Sequence, residues 1–243
     1  MWRVGTVIDL RDETATARTL TLKVPDWPGH VAGQHVDVRL TAADGYSAVR
    51  SYSIASAPNV EGRVQITVER LPSGEVSPYL TQEVAVGDRL ELRGPIGGWF
   101  VWLAEQTEPI QLIAGGSGIV PLMAIIRSRA SAGSTAPFRL LYSVREPGAV
   151  FYHDELRALA DVDRPVIVTY AYTRAVPKDW SRRPGRIDAD LIADTTWPAN
   201  LVPTCYICGP TPFVEAVANL LTASGNDRNK VLTERFGPTG ARK

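Results

Sequence analysis

The hydrophobic pattern changes period once along the chain, and that change restricts the possible folds more than any single motif does. Within the first hundred residues, rows of apolar residues recur at every second position. Leu20, Leu22 and Val24 form one such row, and Val36, Val38 and Leu40 a second. Val64, Ile66 and Val68 follow, then Leu90 and Leu92. Turn-forming segments separate the rows at Asp26-Trp27-Pro28-Gly29, Ala43-Asp44-Gly45 and Asn59 to Gly62. Half-buried strands at this spacing predict a small antiparallel barrel or sandwich. One segment breaks the pattern. Gly74-Glu75-Val76-Ser77-Pro78-Tyr79-Leu80 predicts a short helix, with Ser77 as N-cap and Pro78 in the first turn.

Gly94-Pro95-Ile96-Gly97-Gly98 closes this first part, and Glu105-Gln106-Thr107-Glu108-Pro109 reads as a linker. The boundaries expected are therefore 1–104 and 109–243. Beyond the linker, continuous apolar runs alternate with helical patterns. The strands expected are Ile110 to Ala114, Phe138 to Val144, Val166 to Tyr172, Thr204 to Cys208 and Val231 to Glu234. Helices are expected over Val120 to Ala130, His153 to Ala160, Ala189 to Asp194 and Pro212 to Ser224. The last carries Phe213, Val217, Leu220 and Leu221 on one face, and Gly225 as its stop. Such alternation predicts a doubly wound, five-stranded parallel sheet.

Composition narrows the function classes. The 26 basic residues balance 26 acidic ones, so charge gives no reason to expect nucleic acid or an anionic membrane as partner. Met1-Trp2-Arg3-Val4-Gly5 lacks the layout of a signal peptide. The uncharged run from Ile110 to Ile126 is broken by glycines and Pro121, and is shorter than the ~20 residues a bilayer span needs. A cytoplasmic protein is expected. Cys205 and Cys208 have the spacing of a CxxC pair. On a strand, however, an offset of three points side chains to opposite faces, which argues against a disulfide or a shared metal. Iron–sulfur clusters are held by sets of four thiolates, so no metal site is expected.

Two stretches carry candidate chemistry. Arg50-Ser51-Tyr52-Ser53 ends an extended run that begins near Tyr46, and alternation puts Arg50 and Tyr52 on one face. A cation beside a flat ring suits a ligand anionic at one end and aromatic at the other, as a flavin nucleotide is. An ordinary surface strand is also consistent with those four residues. The second stretch is Gly115-Gly116-Ser117-Gly118-Ile119-Val120-Pro121, a glycine-rich turn between a strand and a helix. Such turns let backbone approach a pyrophosphate at a helix N-terminus. With strand order 3-2-1-4-5, this turn and Cys208-Gly209-Pro210 would face the same crevice. Thr211-Pro212 then opens the next helix, with Thr211 as N-cap.

Taken in order, RSYS, GEVSPYL, GPIGGWF, GGSGIVP, YICGP and TERF resemble the ferredoxin–NADP reductase superfamily over nearly the whole chain. The resemblance implies a flavin-binding Greek-key barrel followed by a nicotinamide-nucleotide domain, as a stand-alone reductase without a ferredoxin domain. It implies that Arg50 holds the flavin phosphates, Tyr52 stacks on the isoalloxazine, and Ser53 lies near its N5. Backbone around Val68-Glu69-Arg70, with Gly74, Val76 and Ser77, would complete the site. Since a flat strand puts Ser53 opposite Tyr52, the strand must twist or end there. FAD is expected rather than FMN, because the GEVSPYL-like helix start serves a pyrophosphate. Gly115, Gly116, Ser117, Gly118, Pro121, Gly209 and Pro210 would bind the nicotinamide nucleotide, and Cys208 would pack beside the nicotinamide. Glu234 and Phe236 match the family's carboxylate and terminal aromatic, although the chain continues past Phe236, and Gly237 to Lys243 could lie over the flavin instead.

An acid after the second strand of such a sheet favours NAD, whereas arginines accommodate NADP. Arg145 and Glu146 offer both. Thr173, Arg174 and Arg186 resemble the NADP-type pattern, with Lys178, Arg182 and Arg183 nearby. NADPH is the expected reductant, with NADH possible. The resemblance thus implies a flavoprotein oxidoreductase that passes electrons to a soluble one-electron carrier such as ferredoxin. A flavin or quinone reductase, an oxygenase reductase, and a non-catalytic nucleotide-sensing subunit are the other readings.

Overall fold

The computed structural model describes residues 1–58, 61–159 and 166–237. Asn59, the end of the helix expected to reach Ala160, and the tail after Gly237 lie outside the described residues. The chain forms two compact units, Met1–Leu103 with Met123–Ala132, and Ala104–Leu122 with Gly133–Lys243.

In the first unit, β1 (Trp2–Thr14), β2 (Ala17–Lys23), β3 (His35–Thr41), β4 (Ser47–Ser53), β5 (Arg63–Glu69) and β6 (Arg89–Ile96) form one antiparallel sheet. Its order is β4-β3-β6-β1-β2-β5. The two edge strands meet through an Ile54–Ile66 bridge, and the Ala55 amide donates to the Gln65 carbonyl at 2.7 Å. The sheet therefore curls into a barrel. The period-two rows point inward: Leu20, Leu22, Val36, Val38, Val64, Ile66, Val68 and Leu92 are each fully buried, and burial contributes roughly 1.5–3 kcal/mol for each such side chain. Sequence reading did not anticipate β1, and its register explains why. It pairs with β6 through residues 2–6 and with β2 through residues 6–14, with irregularities between Val7 and Asp9 and between Asp12 and Thr14. Each bulge breaks the alternation that identifies a strand.

Helix α1 (Ser77–Gln82) lies between β5 and β6. Ser77 is not its N-cap. Val76 occupies that position without a capping side chain, and the Ser77 hydroxyl instead accepts from the Leu71 amide at 3.0 Å. The Gly74 amide donates to the Leu71 carbonyl at 2.8 Å and closes the turn beside it, where a side chain at residue 74 would meet the Ser77 oxygen at 2.9 Å.

The second unit contains β7 (Ile110–Gly115), β8 (Phe138–Val144), β9 (Ile167–Tyr172), β10 (Thr204–Pro210) and β11 (Val231–Phe236). All pairs are parallel, as the sequence predicts, and the order is β11-β10-β7-β8-β9, the one assumed above. The helices of this part of the chain are α2 (Ile119–Ser131), which from Met123 on clusters with the first unit, α3 (His153–Ala158), α4 (Ala189–Thr195) and α5 (Thr211–Ala223). Helix α5 starts one residue earlier than expected: Pro210 takes the N-cap position and Thr211 is already helical, with no capping side chain. Its buried stripe is Val214, Val217 and Leu221, with Phe213 and Leu220 only partly covered. Gly225 has φ +92 and ends the helix as expected.

The expected linker is anchored instead of free. Thr204 donates to Glu108 at 2.7 Å, and Tyr206 donates to Gln106 at 3.2 Å. Burial works to raise the Glu108 carboxyl, but hydrogen bonds from Thr204, from its own amide and from Gln106, together with Lys230, hold it below its usual value.

Candidate nucleotide-binding sites

In the barrel unit, the expected flavin residues lie on β4, on the carboxyl end of β5 and on the turn into α1. Strand β4 pairs in register with β3, Arg50 opposite Val38 and Tyr52 opposite Val36. Both therefore project from the face that carries the barrel core. Tyr52 packs against that core, and burial pushes its phenol up to about 12, with Arg50 opposing. The strand ends at Ser53, which resolves the sterics of Ser53 following Tyr52. Among the described residues, neither the Tyr52 nor the Ser53 hydroxyl has a hydrogen-bond partner. A half-buried ring and an open hydroxyl at a strand end fit a flavin.

Two residues to which the sequence assigns no site role, Glu75 and Tyr46, belong to this cluster. Arg50 donates to Glu75 Oε2 at 2.7 Å, and Tyr46 donates to Glu75 Oε1 at 3.0 Å. Arg50 also donates to the Val49 carbonyl at 2.8 Å. The carboxylate of Glu75 thus takes the guanidinium edge that a phosphate would use. Its place inside GEVSPYL was the available signal. Val76 and Val68 are buried, so their backbone, and not their side chains, is what they can offer.

In the parallel unit, neighbours β7 and β10 flank the point where the chain reverses direction across the sheet, and ligands bind such sheets there. The glycine turn and the start of α5 meet at that point. A Cβ on Gly118 would lie 2.1 Å from the Cys208 carbonyl oxygen, and one on Gly115 would lie 2.7 Å from the Phe213 ring. A side chain at Gly209 would strike the same ring. These three glycines are thus fixed by close packing. Gly116 differs: its φ is +55 and nothing lies within 4 Å of its Cβ position. Its open side is the cradle a dinucleotide phosphate needs. Ser117 is half-buried beside it, while Pro121 is buried and lies in α2.

Cys208 pairs in register with Glu234, Gly209 with Arg235, and Pro210 with Phe236. Cys208 is buried, and burial together with the Glu234 charge pushes its thiol well up. Cys205 packs in the apolar cluster with Ile207 and Val217. Both cysteines are free. Among the described residues Glu234 Oε2 is buried without a partner, and burial pushes its carboxyl up to about 7. An acid in that range can hold or release a proton near neutral pH. Phe236 is 37% exposed at the end of β11.

The expected nucleotide-selecting residues cluster around β8 and β9. The Thr173 amide donates to the Val144 carbonyl, and the Arg174 amide to the Arg145 carbonyl, each at 2.9 Å. Arg145, Arg174 and Arg186 are exposed, and none has an ion-pair partner among the described residues. Arg182 differs, lying 3.9 Å from Asp188 and 4.0 Å from Asp194. A cavity of about 200 Å³ is lined by Tyr170, Tyr172, Trp180, Arg182, Arg183 and Arg186 among others. Arg145 and Arg174 do not line it. The sequence reading missed its aromatic wall, in which the Tyr170 and Tyr172 rings stack at 5.8 Å. Trp180 meets Tyr172 edge-on at 4.9 Å.

Comparison with known proteins agrees with this arrangement. Residues 6–101 match the oxidoreductase FAD-binding domain family, and residues 112–219 match the oxidoreductase NAD-binding domain family. The chain is 30% identical over 208 residues to the glycine betaine monooxygenase reductase subunit of Pseudomonas aeruginosa strain UCBPP-PA14, covering 85% of this chain and 56% of that protein. The chain thus spans little more than half the length of that relative. The flavohem-like FAD/NAD binding domain of Vibrio cholerae nitric oxide dioxygenase superposes with TM-score 0.86 at 26% identity, over 97% of this chain and 99% of that one. A Neisseria gonorrhoeae ferredoxin NADP+ reductase with bound FAD and NADP superposes with TM-score 0.81 at 19% identity, over 96% of this chain and 98% of that one. Barrel and parallel sheet together define a flavin- and nicotinamide-nucleotide-binding oxidoreductase. The chain belongs to the ferredoxin–NADP reductase superfamily. No helix among the described residues is long and apolar enough to cross a membrane.

Proposed function

We propose that the chain draws electrons from NADPH and delivers them to a separate soluble one-electron carrier such as a ferredoxin, in the cytoplasm. Residues 1–104 form the FAD module and residues 109–243 the nicotinamide module. When bound, the cofactors supply hydride transfer from nicotinamide C4 to flavin N5 and single-electron release. The protein supplies binding, orientation and proton control.

Arg50 neutralises the FAD phosphates, Tyr52 covers the ring system, and the unpartnered Ser53 hydroxyl serves N5. Backbone at Val68, Gly74, Val76 and Ser77 completes that bed. The turn Gly115–Gly118 with Pro121, together with Gly209 and Pro210, holds the nucleotide diphosphate. Cys208 packs at the nicotinamide, Glu234 holds a proton beside it, and Phe236 shields the flavin face. The observation that carries this reading is the buried, unpartnered Glu234 oxygen beside Cys208, at the strand ends next to an open glycine cradle. NADPH is preferred because Arg145, Arg174 and Arg186 offer guanidinium groups free of carboxylates, and guanidinium matches phosphate bidentately.

A second reading is favoured by the 30% identity to a monooxygenase reductase subunit: the chain is the reductase part of an oxygenase system. Stopped-flow mixing of the NADPH-reduced protein with ferredoxin, with quinone and with an oxygenase component separates the two. Reduction of quinone alone would refute both.

A further inference from the structure

Ser51 is the one residue of Arg50-Ser51-Tyr52-Ser53 that the reading above leaves without a role, and it is the start of a hydrogen-bonded chain across three strands. Its side chain projects opposite to Arg50 and Tyr52. There the hydroxyl donates to Asp37 Oδ1 at 2.6 Å. The other oxygen, Asp37 Oδ2, accepts from Arg93 Nη2 at 2.6 Å and from Arg93 Nε at 3.1 Å. Asp37 is paired in register with Ser51 on β4 and with Arg93 on β6, so the chain runs straight across β4, β3 and β6. Asp37 as a whole is 6% exposed. Arg93 in turn lies over the Trp2 ring on β1, 5.3 Å from its centroid.

The position of β4 gives this chain its consequence. Among the described residues this edge strand is hydrogen-bonded along its length to β3 alone, and on its other side it joins β5 only past its end, through the Ile54–Ile66 bridge and the Ala55–Gln65 hydrogen bond. An edge strand leaves backbone groups without ladder partners, so fewer hydrogen bonds fix it than fix a central strand. Binding side chains act best when packing and hydrogen bonds around them fix their geometry. A charge-assisted hydrogen bond to a carboxylate that is itself held by a guanidinium supplies such a fix between Arg50 and Tyr52.

We propose that Ser51 and Asp37 are positioning residues for FAD: through Arg93, they fix the pitch of β4 at Arg50 and Tyr52 and so set how long FAD stays bound. The inference rests on the proposed FAD contacts of Arg50 and Tyr52. The same strand provides its own control, because Ser47 at the other end shares a hydroxyl–hydroxyl hydrogen bond of 2.9 Å with Thr41 and lies away from the ligand side chains.

The test is the FAD dissociation rate of the full chain, followed by flavin fluorescence on dilution, with thermal midpoints measured alongside. Ser51→Ala is expected to release FAD about threefold to tenfold faster, the range of one net hydrogen bond, at a thermal midpoint close to wild type. Ser51→Thr, which keeps the hydroxyl, restores the slow rate, and Ser47→Ala leaves it unchanged. Asp37→Asn combined with Ser51→Ala releases FAD no faster than Asp37→Asn alone. An unchanged rate in Ser51→Ala, no rescue by threonine, or additive effects in the double variant would each overturn the inference. Arg50→Ala and Tyr52→Ala separate the layers. If these also leave the rate unchanged, the FAD site reading itself fails; if they accelerate release and Ser51→Ala does not, only the positioning role is lost.

Discussion

Replacing Glu234 by glutamine should stabilise the protein at alkaline pH, and the size of the gain follows from the burial of its carboxyl. Burial raises that carboxyl from an ordinary 4.5 to about 7, and among the described residues Oε2 has no hydrogen-bond partner to offset the lost hydration. The folded state therefore holds the proton more tightly than the unfolded chain does. The stability this gives is fully present below pH 4.5 and is lost as pH rises through about 7, where the folded protein must carry a buried charge. At about 1.4 kcal/mol for each pH unit between the two values, the full loss is roughly 3 kcal/mol. Glutamine resembles the protonated acid in shape and carries no charge at any pH. The stability advantage of Glu234→Gln over wild type should therefore widen by about 2 kcal/mol between pH 5 and pH 8.5. Urea unfolding of both apoproteins, followed by circular dichroism at the two pH values, measures it. A gap that is the same at both, or a variant less stable at pH 8.5, would refute the argument that Glu234 is buried as an uncompensated acid.

Gly118→Ala places a Cβ 2.1 Å from the Cys208 carbonyl oxygen and should cost about 3 kcal/mol in urea unfolding; wild-type stability would mean that the turn is not pressed against β10. Glu75→Gln frees Arg50 from a carboxylate partner, so FAD should bind the apoprotein a few-fold tighter by fluorescence titration, and weaker binding would make Glu75 part of the flavin bed. Tyr52→Ala should lose flavin on gel filtration, and full retention would remove Tyr52 from the ring contact. Arg174→Glu should raise KM for NADPH at least about tenfold, the range of a charged hydrogen bond, with a small effect on NADH; equal losses would remove Arg174 from selecting the nucleotide.

Period and turn chemistry carried most of the architecture. The inward rows of the barrel and the strand–helix alternation beyond residue 109 depend on burial alone, which leaves a direct trace in the order of apolar residues. All five parallel strands could be read in this way, whereas the sheet order was assumed and not read from the pattern. Bulged β1 could not, because its two partners demand two registers from one strand. Helix starts were misplaced at Ser77 and Thr211, since proline marks the first turn without saying which residue precedes it. At the candidate sites, glycine positions were legible but their reasons were not. Gly115, Gly118 and Gly209 make room for the Phe213 ring or the Cys208 carbonyl, and only Gly116 opens outward. Glu75, the Ser51–Asp37–Arg93 chain and the Tyr170–Tyr172–Trp180 wall all join residues distant in sequence or separated by a loop, and no local pattern announces such meetings.

Anaerobic titration of the FAD-loaded protein, first with NADPH and then with NADH, followed by flavin absorbance, tests the central claim most directly. The account predicts that NADPH bleaches the flavin in proportion to the amount added, and that NADH needs a higher concentration for the same effect. A protein that takes up no FAD, or a bound flavin that neither nucleotide bleaches, would contradict it.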